Sequence, residues 1–65
     1  MKSMIITGTL ITRETAPGYL KRIAGILQRD LTMEASIMLD DIEDRIVKAG
    51  WLTWPEVEEI EISAL

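Results

Sequence analysis

The 65-residue sequence predicts a small single-domain α+β protein, and three observations carry that prediction. An Ile/Thr-rich stretch at residues 3–13 has strand character, two consecutive segments repeat apolar residues at 3–4 spacing, and a glutamate-rich tail alternates Glu with Ile. Residues 1–65 are too few for a second domain, and a chain this short buries only about 60% of the surface its unfolded form exposes.

In "SMIITGTLITR", Met4, Ile6 and Leu10 fall on one face of an extended strand. Ile5, Thr7, Thr9, Ile11 and Arg13 fall on the other. Ten extended residues would span roughly 33 Å, long for so small a domain. Gly8 therefore marks a bulge, a bend or a tight hairpin, and the sequence leaves these three open.

The period changes at "ETAPGYLKRIAGILQRDL". Leu20, Ile23, Ala24, Leu27 and Leu31 define an amphipathic helix over about 18–31, with Thr15 as its cap and Pro17 in its first turn. A second helix is expected over 33–49. Its apolar face is Ala35, Met38, Leu39, Ile42, Ile46 and Ala49, and Thr32 is its N-cap. Lys48 and Gly50 are stop signals, and Trp51 falls where a Schellman motif places its contact with Ile46. The same spacing could run through a single helix of about 32 residues, some 48 Å long. Two antiparallel helices over a sheet are favoured because they close one domain.

The tail "TWPEVEEIEISAL" supports two readings. Thr53 and Glu56 have the spacing of a capping box, with Pro55 between them. Glu59 to Ser63 alternates like a strand. The expectation is a helical turn near 53–57, then a C-terminal strand near 58–63 pairing antiparallel with the first strand.

Composition narrows the function. Cysteine and histidine are both absent, which removes disulfides, the usual zinc ligands and the commonest general base. Ser3, Ser36 and Ser63 have no histidine to activate them, and no Gly-rich phosphate loop occurs. The expected protein is non-enzymatic and binds no cofactor or metal. No apolar run approaches the roughly 20 residues of a membrane span, and the N-terminus lacks the long apolar core of a secretory signal. A soluble cytoplasmic protein, monomeric or homodimeric, is the expectation.

Charge is unevenly placed. Residues 1–31 carry five basic and two acidic side chains, whereas residues 32–65 carry two basic and nine acidic ones. Such asymmetry points to a charged partner. In "DDIEDR", Asp40, Glu43 and Asp44 share a helical face, a carboxylate arrangement suited to Mg²⁺. A facing second set is missing from the first helix, and Asp41–Arg45 and Asp44–Lys48 read as ordinary i, i+4 pairs.

On a strand, Glu59 and Glu61 would lie about 6.6 Å apart on one face. With Glu56, Glu58 and the Asp40, Asp41, Glu43, Asp44 cluster they would make an acidic partner-binding surface, with Trp54 as an apolar anchor. The small size, the lack of catalytic residues and the segments "DDIED" and "EVEEIE" resemble, in format, the phage-encoded anti-CRISPR proteins. That resemblance implies an inhibitor that covers a basic nucleic-acid-binding surface of a larger protein such as a CRISPR-Cas effector. A strand followed by two helices is also similar to a ribbon-helix-helix repressor or an antitoxin-like partner. This likeness implies that Thr7, Thr9 and Arg13 read DNA from a strand paired across a dimer. The acidic second helix opposes direct nucleic-acid binding, because phosphate neutralisation dominates such affinity.

Overall fold

A computed structural model describes residues 3–65. The order is β1 (Ser3–Ile6), β2 (Thr9–Thr12), α1 (Ala16–Leu27), α2 (Met33–Lys48) and α3 (Trp54–Ala64). The α+β class holds, but the arrangement differs from the expected strand, two helices and strand.

The N-terminal stretch is a tight hairpin. β1 and β2 pair antiparallel, with Met4 opposite Ile11 and Ile6 opposite Thr9. The two-residue turn places Thr7 at φ 49° and Gly8 at φ 80°, the positive values that a type I′ turn requires at both central positions. Glycine takes this conformation freely, but a β-branched threonine does not. Two side-chain hydrogen bonds hold Thr7 there. Its hydroxyl donates to the Ile6 carbonyl at 2.7 Å and lies 2.9 Å from the Tyr19 hydroxyl. The turn also resets the strand parity. Ile6 and Ile11 are buried together, while the cross-strand pair Ile5 and Leu10 faces outward, 67% and 62% exposed.

α1 begins at Ala16 without a side-chain cap. The expected cap, Thr15, turns backwards and accepts a hydrogen bond from the Thr12 amide at 2.9 Å. α1 buries Ala16, Tyr19, Leu20 and Ala24. It stops at Leu27, one turn short of expectation, and Leu31 is 95% exposed. The break is local competition for the backbone. Asp30 accepts a hydrogen bond from the Thr32 amide, and Thr32 in turn caps α2 by accepting from the Ala35 amide. Two helices therefore form where one continuous stripe was conceivable.

α2 ends in the expected Schellman motif. The Gly50 amide donates to Val47 O at 2.9 Å and the Trp51 amide to Ile46 O at 3.2 Å, with Gly50 at φ 78°.

The expected C-terminal strand does not exist, because residues 54–64 are helical. Thr53 and Glu56 form a complete capping box, and Val57, Ile60 and Ala64 recur at helical spacing on the side that packs inward. β1 is already paired within its own hairpin, so a C-terminal strand is no longer needed to satisfy it. α1 lies centrally, against β2, α2 and α3. The core joins Ile6, Ile11 and Leu20 to Ile42, Ile46, Trp51 and Val57.

Candidate acidic interaction surface

α3 packs on α1, and its C-terminal half approaches α2. Leu65 lines the same hollow as Ser36 and Leu39, and Glu61 meets Glu43 one to two turns further on. Carboxylates from two distant parts of the chain thus come to one seam. Glu43 and Asp40 are on the α2 side and Glu61 on the α3 side.

The expected acidic residues behave differently from one another. Asp41 pairs with Arg45 at 3.1 Å and Asp44 with Lys48 at 2.9 Å, both at i, i+4 and both solvent-exposed. The bond to Asp44 raises the Lys48 pKa. Glu56 is committed to its cap, where bonds from the Thr53 amide and hydroxyl lower its pKa. Asp40, Glu58 and Glu59 are exposed and have no ion-pair partner among the described residues.

Glu59 and Glu61 do not share a face. On a helix they lie roughly 200° apart, so Glu61 turns towards α2 while Glu59 points to solvent. The two tryptophans also separate. Trp51 is buried in the core, and Trp54 opens α3 at 48% exposed.

Glu43 departs furthest from a solvated helix face, being only 4% exposed. Its pKa is pushed up to about 8. Burial is the largest cause, followed by the hydrogen-bonding contact with Glu61 and the charges of Glu61 and Asp40. Its Oε2 is buried with no hydrogen-bond partner. The sequence signal for this burial is spacing. Glu43 stands four residues after Leu39 and three before Ile46, beside Ile42, and so on the margin of the apolar face.

Among the described residues, no group of three or more carboxylates is placed to hold a metal ion. The Ser63 hydroxyl donates to its own helix at Ile60 O. Of the residues considered for DNA reading, Thr7 is locked in the turn, Thr9 pairs opposite Ile6, and Arg13 is exposed just beyond β2. No described helix is long and apolar enough to cross a membrane. No protein-family model matches the chain, and no curated protein or solved structure is significantly similar to it.

Proposed function

We propose that this is a binding protein without catalysis, which presents the α2–α3 face to a basic surface on a larger protein and keeps nucleic acid from it. The observation that supports the reading is the meeting of Glu43 on α2 with Glu61 on α3, with further exposed carboxylates on both helices and a half-exposed Trp54 opening α3. Asp40, Glu58 and Glu59 supply uncompensated negative charge, and Trp54 supplies a rigid apolar contact of the type enriched at binding hot spots. The basic residues Lys21, Arg22 and Arg29 are on α1 and its C-terminal end, away from that group in the chain. Inhibition of a nucleic-acid-binding effector, in the manner of an anti-CRISPR protein, is the specific form of this proposal.

The test is affinity capture from a bacterial lysate with and without nuclease, followed by competition between the captured protein's nucleic acid and this chain. A nuclease-resistant, salt-sensitive protein catch that loses its nucleic acid to the chain is the expected result. Specific DNA binding by the chain itself, with no protein captured, would overturn it.

A further inference from the structure

Glu43 and Glu61 join two helices that are otherwise held apart in sequence by the Schellman turn and the α3 cap. Glu43 is inside, its Oε2 is out of reach of water, and the side chain it meets is another carboxyl. Two ionised carboxylates in that position repel and leave a buried acceptor unsatisfied. One proton removes both costs, because a carboxylic acid O–H on either residue donates to the carboxylate of the other. The remaining charged group that acts on Glu43 is Asp40, one turn earlier on α2, and it is also negative. No basic side chain from α1 or the hairpin is among the groups that act on it, and α2's own Arg45 and Lys48 are engaged by Asp41 and Asp44.

We propose that Glu43 and Glu61 share one proton that clasps α3 to α2, and that its loss in mild alkali loosens α3. The step is a simple deprotonation. The shared hydrogen bond breaks, the proton goes to solvent, and two carboxylates remain face to face. The composition makes this switch unusually easy to isolate. With neither histidine nor cysteine in the chain, the groups that ordinarily titrate between pH 6 and 9 are absent, an α-amino group excepted. The sign follows from linkage. A carboxyl whose folded pKa is raised binds more protons folded than unfolded, so stability is full below the ordinary carboxylate range and is lost as pH rises to about 8. α3 carries Trp54, Glu58 and Glu59, so loosening it would displace those side chains relative to Asp40. The clasp itself stands whether or not a basic partner exists.

The direct test is a carbon-detected NMR titration of the glutamate carboxyls in the intact wild-type protein. The Glu43 carboxyl is expected to titrate above pH 7, and all glutamates titrating below about pH 6 would overturn the proposal. Thermal melts and tryptophan fluorescence between pH 6 and 9.5 then read α3. The wild type should lose at least about 5 °C of melting temperature across the window, with a fluorescence change of the same midpoint. Glu43→Gln, whose amide is a permanent donor to Glu61, should flatten both. Should that variant not fold, Glu61→Gln removes the facing charge while leaving Glu43 buried, and should shrink both responses and move them to lower pH. Equal pH slopes in the wild type and a folded variant would overturn the clasp. A carboxyl titrating near 8 without any tryptophan response would overturn the loosening of α3.

Discussion

Thr53 and Glu56 bond to each other in both directions at the start of α3. The Glu56 amide donates to Thr53 Oγ1 at 3.4 Å, and the Thr53 amide donates to Glu56 Oε1 at 2.9 Å. This box starts the tail as a helix. It satisfies amides that an uncapped helix end leaves open, and it starts a helix through a segment whose Glu-Ile alternation also suits a strand.

Removing the cap should therefore be felt throughout α3. Thr53→Ala is expected to cost about 1 kcal/mol, a loss of several degrees in a domain this small, and to lower helicity by circular dichroism. Glu56 adds a pH signature of opposite sign to that of Glu43. Its folded pKa is lowered, so its contribution is present above the ordinary carboxylate range and lost as pH falls through its folded value. Acid melts of wild type and Glu56→Gln should converge at low pH. Parallel curves would show that the carboxylate is not what closes the box.

Two glycines in the same fold should respond oppositely to alanine. Gly50 has φ 78° and open space around it, so a β-carbon meets no neighbour but strains the backbone. Gly50→Ala should lose roughly 1 kcal/mol or more. Gly25 lies inside α1 without that constraint, and an added β-carbon would rest 3.7 Å from Ala64 O, an ordinary contact. Gly25→Ala should gain up to about 1 kcal/mol through helix propensity. Chemical denaturation of the two variants beside wild type checks both signs.

Leu20 on α1 and Ile46 on α2 are each fully buried, and both belong to the core that unites all three helices with the hairpin. Truncating either to Ala should cost about 2–5 kcal/mol. Against a total stability of about 3–10 kcal/mol for a chain of this length, either change threatens folding outright. Leu31→Ala, at an exposed position on the expected stripe, should stay within about 0.5 kcal/mol. Urea midpoints for the three variants distinguish the observed helix boundary from a longer α1.

The contrast between Leu20 and Leu31 shows what the sequence could reveal. α2 was readable almost to the residue, because Thr32, Lys48 and Gly50 are punctuation that acts locally. The end of α1 was not, because the Asp30–Thr32 bond that breaks the helix competes with an apolar spacing that runs straight through it. The sequence leaves the hairpin open among three possibilities. Thr-Gly is not the usual Asn-Gly turn pair, and Thr7 is held in its positive φ partly by contact with Tyr19, twelve residues away. In the tail, Val57, Ile60 and Ala64 fit a helix while Ile60 and Ile62 fit a strand. Only the pairing of β1 with β2 removes the strand's reason to form. The same helix turn separates Glu59 from Glu61, so the candidate surface could be composed from sequence but not arranged. The spacing puts Glu43 on the margin of the α2 apolar face, but its meeting with Glu61 depends on where α3 packs.

That rearrangement changes which acidic residues should be reversed to test partner binding. Glu61 faces Glu43, so a lysine there would alter helix packing as well as surface charge. Glu58 and Glu59 are exposed and make no salt bridge among the described residues. Glu58→Lys with Glu59→Lys should leave the melting temperature nearly unchanged, because exposed charges contribute about 0–1 kcal/mol. Binding to a basic partner should weaken by about 2–5 kcal/mol, since like charges then meet across the interface. Added salt should weaken the wild-type complex in the same direction, as the screening length falls from about 10 Å at 0.1 M to about 3 Å at 1 M. Trp54→Ala should weaken the complex without removing its salt dependence, because the indole contributes contact area rather than charge. Binding that withstands the double reversal, in a variant that still melts like wild type, would place the partner on another face of the molecule.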